Sequence, residues 1–351
     1  MRALVVTSVH RSDDPRVRER TVGSLATASE VRYATAAPSP QRGGDHEWVE
    51  LRGGRIRRWW GALRQMLRGD LDVISLHDPE LIPAGLVARL LRRVAVVVDV
   101  HEDVPAQIRH KGWIPAWLRP AAAWTAHRFL RLAERCCVVT LAEPNYGHLF
   151  RRQHPVFPNY PATGSLPDLA PDGGYLVYVG DVTEARGALD MVEAVGTMSR
   201  PVPLRVVGRC ADELGRRMER WAADRDVDLT LLGPLPHRQA MEEVASASAG
   251  LSLLRDLPNY NHSLPTKVIE YLAMGVPVVA SDLPGTRDAV AGLEAVHLVV
   301  PGVPSAAAEV LDTAIVGRAA AAGQAPAVRE RMVWPADEVV RVYRRAVGVS
   351  G

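Results

Sequence analysis

Lys267 and Glu270 stand three residues apart in Ser263-Leu264-Pro265-Thr266-Lys267-Val268-Ile269-Glu270-Tyr271-Leu272-Ala273-Met274-Gly275. The local signals describe a polar loop, a helix and a stop. Ser263 suits the N-cap, Pro265 the first turn, and Gly275 the left-handed residue that ends a helix. Residues three apart share a helix face. The free N–H groups at such a helix start, the positive end of its dipole and the Lys267 ammonium would together attract phosphate. A carboxylate one turn later can accept hydrogen bonds from two vicinal hydroxyls, so the pair could cradle a nucleotide sugar. The spacing alone favours a solvated salt bridge, and the choice stays open at this level.

Other chemistries leave no trace. No G-x-G occurs anywhere in the chain, which argues against a nicotinamide or flavin dinucleotide enzyme, and the P-loop pattern is absent. A G-x-S-x-G elbow and an H-E-x-x-H zinc helix are missing too, since His101-Glu102 has no second histidine. Cys136, Cys137 and Cys210 are too few and too poorly spaced for zinc or a disulfide framework, and read as buried thiols. No metal is expected.

The elements that would position Lys267 and Glu270 are short β-branched runs, each ending in polar or glycine residues and followed by a helical pattern. The first half has Ala3 to Thr7, Val31 to Ala34, Val73 to Leu76, Ala95 to Val100 and Cys137 to Leu141. The second has Tyr175 to Val179, Leu204 to Val207, Asp228 to Leu232, Gly250 to Leu254, Val276 to Ala280 and Ala295 to Val300. Continuous apolar runs of this kind are strands buried on both faces, hence parallel βαβ units, and both halves read as doubly wound α/β domains. Pro155, Pro158 and Pro161 recur at every third position before a stretch rich in Pro, Gly and Asp, which marks the linker near residue 160. After Pro301 an Ala-rich, low-complexity stretch, Ala319 to Ala327, precedes a last helix over Ala336 to Ala346. Ligands of open α/β sheets bind beyond the carboxyl ends of the strands, and two such sheets facing each other make a cleft. His10 and His77 end strands and become candidate ligand contacts.

Length and composition agree with this organisation. At 351 residues the chain favours two domains, and 47% apolar with 23% charged residues is ordinary globular composition. Apolar runs such as Val94 to Val98 are far too short to cross a bilayer, and the start of the chain lacks a signal-peptide pattern, so a cytoplasmic protein is expected. Residues 1–160 carry 24 Lys+Arg against 16 Asp+Glu, and the remainder 18 against 24, so the two halves differ in sign. Leu51 to Gly69 holds six arginines, Trp59-Trp60 and no acid; Gln107 to Arg135 holds Trp113, Trp117 and Trp124 with Glu134 alone acidic after Asp103. Such faces can dock on anionic lipid, although arginine also fills ordinary solvated faces. No nucleic-acid module is recognisable.

The segment P-x-K-x-x-E-Y-x-A-x-G-x-P-V-V-A-S-D, ending at Asp282, strongly resembles the donor-binding helix of glycosyltransferase family 4, retaining enzymes of the GT-B fold. Five further stretches match in order. They are Val5 to His10 with Asp14-Pro15-Arg16-Val17, His77 to Pro83, Asp99 to Asp103, Tyr178-Val179-Gly180-Asp181 through Arg186-Gly187, and Leu231 to Leu235. The likeness implies a GT-B architecture: an acceptor domain over residues 1–160, a nucleotide-sugar domain over 161–333, and a helix over 334–351 returning toward the first domain. It implies that Glu270 holds the donor ribose and that Arg186 and Lys267 neutralise the diphosphate. It also implies that backbone around Gly233, Pro234 and Leu235 meets a uracil or guanine base and that His101 approaches the transferred sugar. Gly180, Ser263, Leu264 and Thr266 line the same donor site. No cofactor is implied beyond the donor, a UDP- or GDP-sugar, and the acceptor would be a small natural product or a lipid-linked, cell-envelope glycan. Three departures stand out. Asp181 replaces the usual arginine after the strand-end glycine, His262 replaces a glutamate eight residues before Glu270, and Asp13, Asp14 and Arg16 occupy the place of a Gly-Gly loop. An epimerase or a degenerate donor-binding module is the alternative.

Overall fold

The computed structural model describes residues 1–10, 12, 14–36, 46–110, 114–162 and 164–348. Asp13 and Trp113 lie outside the described residues. All eleven apolar runs are strands, and they belong to two six-stranded parallel sheets. The first contains β1 (Arg2–Val6), β2 (Glu30–Thr35), β3 (His46–Glu50), β4 (Val73–Leu76), β5 (Ala95–Val100) and β6 (Val138–Leu141), in the order β3-β2-β1-β4-β5-β6. The second contains β7 (Leu176–Val179), β8 (Leu204–Val207), β9 (Leu229–Gly233), β10 (Ala249–Ser252), β11 (Val278–Ser281) and β12 (Val296–Val299), in the order β12-β11-β10-β7-β8-β9. Both orders reverse at the first strand of their sheet, between β1 and β4 and between β7 and β10. Two crevices open at such points of a doubly wound sheet, beyond the strand ends.

Burial explains which strands were legible. All six residues of β5 are buried, so its Val-rich run is uninterrupted. The missed strand, β3, reads His-Glu-Trp-Val-Glu and pairs with β2 alone. No residue of β3 is fully buried, so its side chains need not be apolar and it carries no apolar run.

The chain divides into two units, Met1–Asn159 with Trp334–Gly351, and Tyr160–Val333. On the first sheet lie α1 (Arg55–Met66), α2 (Ile82–Arg92) and α3 (Arg119–Cys136), with α1 beside α2 and α2 beside α3. In the second unit α4 (Thr266–Met274) packs against β10 and β11, and every residue from Val268 to Met274 is buried. It therefore shows no apolar stripe, and its chemistry is confined to its first turn and to Glu270. The Ala-rich stretch is helical, within Arg318–Arg331, and packs on α4, where small side chains permit close approach. The last helix, α5 (Ala336–Val347), packs on β4, β5 and the Gly23–Ala26 turn of the first unit. The three cysteines are free and half-buried rather than buried: Cys136 ends α3, Cys137 precedes β6, and Cys210 lies in the connection after β8.

Candidate active site

In the second unit β7, β8 and β9 end side by side, and each ends on a glycine: Gly180, Gly208 and Gly233. The Gly180 N–H donates to the Val207 carbonyl and the Gly208 N–H to the Gly233 carbonyl, both at 2.8 Å. Gly208 has φ +145°, and a Cβ there would lie 1.8 Å from the Gly180 carbonyl oxygen, so no other residue fits. The strand ends thus present bare backbone, which can approach a ligand closely.

Lys267, in the first turn of α4, reaches this backbone. A Cβ on Gly180 would sit 2.6 Å from Lys267 Nζ. The residue is half-buried, but Nζ itself is shut off from solvent and has no hydrogen-bond partner among the described residues. It lies 4.1 Å from the centroid of the Tyr178 ring, whose hydroxyl donates to the Asp181 carbonyl at 2.8 Å. Burial pushes the Lys267 amine down and the nearby Arg186 charge adds to the effect; Glu270 and Asp181 only partly offset them, leaving a pKa of about 7. Burying a cation without a partner is costly, and such costs gather where a ligand completes the site.

Arg186 follows β7 in the turn Glu184–Arg186 and is half-buried, its Cζ 6.0 Å from the Tyr260 ring centroid. Burial works against its charge, but Tyr178 and Tyr260 outweigh it and hold the guanidinium protonated. Glu270 is buried, with Oε1 4.0 Å from Nε2 of His237. His237 begins the helix that follows β9, directly after Pro234-Leu235-Pro236. The sequence reading passed over it, although its place after the expected base-binding loop was a usable signal. Leu235 and Leu264 both rest on the apolar cluster that contains Val268 and Ile269, bringing the β9 loop and the α4 approach to one core.

Ser263 is not the N-cap of α4. Its hydroxyl donates to the Tyr260 carbonyl at 3.2 Å, closing the turn after the short helix Pro258–Asn261, and Pro265 takes the cap position. Proline has no N–H to satisfy, and its carbonyl accepts the first helical bond from Ile269. Thr266 then opens the helix, its N–H donating to the Leu264 carbonyl at 2.9 Å. His262 is exposed at the end of Pro258–Asn261. Gly275 has φ +82° and ends α4 as expected.

The arginine missing at Asp181 has a counterpart one strand away. Asp181 Oδ1 accepts from Nε and an Nη of Arg209 at 3.1 and 3.0 Å, and Arg209 directly follows Gly208. Sequence spacing could not pair residues 28 apart.

The strand ends of the first unit hold a different cluster. Asp99, the fifth residue of β5, is buried and receives both Nε and an Nη of Arg16, at 2.8 and 2.7 Å, and the Thr140 hydroxyl at 2.9 Å. Burial would raise its pKa, but the Arg16 guanidinium beside it, with a smaller contribution from the neighbouring His77 ring, holds its carboxyl well below the usual carboxylate range. His77 Nδ1 lies 3.3 Å from Asp99 Oδ2, at ion-pair distance though off the line of a good hydrogen bond. His101 Nδ1 faces the Asp99 carbonyl at 3.3 Å, and its Nε2 lies 2.9 Å from His10 Nε2. His10 also meets Asp14 through Nδ1 at 3.5 Å and Asp78 through Nε2 at 3.3 Å. Burial alone would lower the His10 pKa; the hydrogen bond to Asp14 and the Asp78, Asp14 and Glu102 charges raise it to about 9. His101 moves the other way, lowered by burial and by the neighbouring cations despite Asp99. His10 therefore carries two protons and donates one to a neutral His101.

His77, Asp99 and His101 offer ligand atoms within 4.8 Å of one another. A metal ion does not fit them, because both Asp99 oxygens already bind the Arg16 guanidinium, a fixed positive charge where a cation would sit.

Residues 2–151 match the glycosyl transferase 4-like domain, and residues 173–315 the glycosyl transferases group 1 family. A phosphatidyl-myo-inositol mannosyltransferase of Mycobacterium leprae is 27% identical over 315 residues, covering 85% of this chain and 78% of that protein. Among solved structures, sucrose-phosphate synthase from Thermosynechococcus elongatus superposes with a TM-score of 0.76 at 17% identity, over 99% of each chain. Anabaena HepE, solved in complex with UDP-glucose, gives 0.70 at 12% identity over the whole of both chains. These likenesses to solved structures bear on fold, and the fold is GT-B.

Proposed function

For a chain that belongs to glycosyltransferase family 4, and is therefore a glycosyltransferase, we propose transfer of a sugar from a nucleoside diphosphate donor to an acceptor hydroxyl, with retention at the anomeric carbon. One observation carries the donor side: a buried ammonium without a partner, Lys267 Nζ, faces bare strand-end backbone between Arg186 and Glu270. A diphosphate supplies the missing counter-charge. Glu270, one turn further along α4, takes the two ribose hydroxyls, and backbone at Gly233, Pro234 and Leu235 meets a uracil or guanine base.

When the sugar departs, its bond to the β-phosphate oxygen breaks and negative charge collects on the diphosphate. Lys267 and Arg186 are already aimed there, so the barrier falls without reorganisation at that moment. The acceptor oxygen bonds to the anomeric carbon on the face the leaving group vacates, and its proton passes to the departing phosphate. This reading forms no covalent sugar–enzyme bond; of the two carboxylates that could be considered for one, Asp181 and Glu102, the first is paired through Oδ1 with Arg209. His101 and His10 belong to the acceptor-side machinery and meet sugar hydroxyls. Neither a metal nor a cofactor has a part in this reading.

The acceptor we favour is lipid-linked. The helices α1, α2 and α3 carry ten arginines and one acid, Glu134, which is buried. The same region exposes Ile56, Trp60, Leu90, Leu91, Trp117 (79%) and Trp124 (65%). Cationic side chains interleaved with exposed tryptophan match an anionic lipid surface, and the mannosyltransferase relative is named for a phosphatidylinositol substrate. No helix among the described residues is long and apolar enough to cross a membrane, so contact would be peripheral.

Thermal-shift titration with UDP- and GDP-sugars tests the donor reading: one series should raise the Tm progressively above its Kd. Glu270→Ala should weaken that donor about 10- to 100-fold by calorimetry, on the scale of losing charge-assisted hydrogen bonds; unchanged affinity sinks the assignment. Co-sedimentation with phosphatidylglycerol vesicles, but not phosphatidylcholine vesicles, tests the acceptor reading, and Trp117→Ala with Trp124→Ala should abolish it.

A further inference from the structure

The segment Trp334–Val347 converges on Asp99 by two buried routes. Along the first, the Tyr343 hydroxyl lies 2.6 Å from Ser75 Oγ, which lies 3.1 Å from His77 Nε2, and His77 Nδ1 faces Asp99. Along the second, the Trp334 ring lies 5.3 Å from Cζ of Arg16, the residue that grips Asp99 with two nitrogens, and Trp334 Nε1 donates to Ser24 at 2.8 Å. Tyr343, Ser75, His77, Asp99, Arg16 and Trp334 are all buried. No such expense of buried polar groups is needed to pack a helix whose Val339, Val340 and Val342 already face the core.

The direction of the first route follows from donor and acceptor capacity. Asp99 is ionised and can only accept, so the Nδ1 that faces it carries the proton; a bare nitrogen there would place lone pair against carboxylate. With the proton on Nδ1, His77 accepts at Nε2 from the Ser75 hydroxyl, which in turn accepts from Tyr343. The two hydrogen bonds polarise each other, and the route then passes to the carboxylate through the His77 ring, whose Nδ1 faces Asp99 at 3.3 Å by charge rather than along a hydrogen bond. Across Asp99, His101 Nδ1 lies 3.8 Å from Oδ2, and the far nitrogen of the same ring receives His10.

We propose that Tyr343 is a positioning residue for the histidine pair: by donating to Ser75 it commits that hydroxyl to His77 Nε2, which reinforces the tautomer facing Asp99 and steadies Asp99 and the orientation in which His101 accepts a hydrogen bond from His10. The C-terminal helix is then part of the acceptor-side machinery and not only a packing element. This rests on the reading that His101 and His10 serve the acceptor.

Tyr343→Phe keeps the ring and removes only the hydroxyl; Ser75→Ala cuts the same route one bond further in. In both, the full-length protein should show altered imidazole nitrogen shifts at His77 and His101, read by NMR on histidine-labelled protein. Turnover should fall about 2- to 12-fold, the scale of one net hydrogen bond, with donor Kd unchanged. A Tm loss with all histidine shifts and kcat as in the wild type makes Tyr343 merely structural and overturns the proposal. Should the wild type transfer no sugar at all, the donor and acceptor reading fails, while the histidine shifts still decide whether Tyr343 sets their protonation.

Discussion

The two strand-end clusters solve the burial of charge in opposite ways. Around β1, β4 and β5, Asp99 has Arg16, Thr140 and His77 about it, and His10 has Asp14 and Asp78. Around β7, β8 and β9, the Lys267 ammonium is buried with no hydrogen-bond partner. The Asp99 carboxylate is satisfied by Arg16 and Thr140, with His77 Nδ1 in its surroundings off a hydrogen-bond line, and a network so nearly complete stabilises the fold and holds side chains at fixed angles. An unsatisfied cation weakens the fold and reserves its strength for a ligand. On the function proposed above, the first cluster orients and the second grips.

The contrast should be plainest in stability. Asp99→Ala leaves the buried Arg16 guanidinium uncompensated, and chemical denaturation should register a loss of about 3–5 kcal/mol. Loss of under about 1 kcal/mol would mean that the first cluster is not the anchor described. Lys267→Met should do the reverse in the empty protein, raising the Tm, while weakening the donor about 10- to 150-fold, as when a charged hydrogen bond is lost. A lowered Tm would show that the ammonium is satisfied after all.

Titration sharpens the comparison further. The Lys267 pKa in the fold, about 7, lies below its ordinary 10.5, so the fold disfavours the charged form. That penalty is complete below pH 7 and disappears as pH rises to about 10.5, so the Tm gap between Lys267→Met and wild type should close across that window. Donor affinity should run the other way, constant below pH 7 and weakening as the free amine deprotonates above it. His10 has the opposite sign. Its pKa is raised from 6.5 to about 9, so its stabilisation is complete below pH 6.5 and is lost as pH rises to about 9. His10→Gln should therefore narrow the stability difference between pH 6 and pH 9, the smallest of these effects.

The sequence alone determined the pattern of strands, because a strand buried on both faces must be apolar along its whole length; Val-rich β5 is the plainest case. It also determined the short motif around Lys267 and Glu270, where helix geometry fixes the neighbours within one turn, and the family likeness followed from such stretches. It missed β3, none of whose residues is fully buried and which is therefore not obliged to be apolar, and it misassigned Ser263, whose hydroxyl found the Tyr260 carbonyl before α4 began. What only the tertiary structure decided is which distant residues meet. Arg16 reaches Asp99 across 83 positions, Arg209 reaches Asp181 across 28, and Tyr343 reaches Ser75 across 268. Parallel strands bring residues together through crossovers whose lengths no local rule sets, and the energy of a buried charge depends on those meetings. Lysine at position 267 can be read from the chain, but its lack of a partner is a property of the fold.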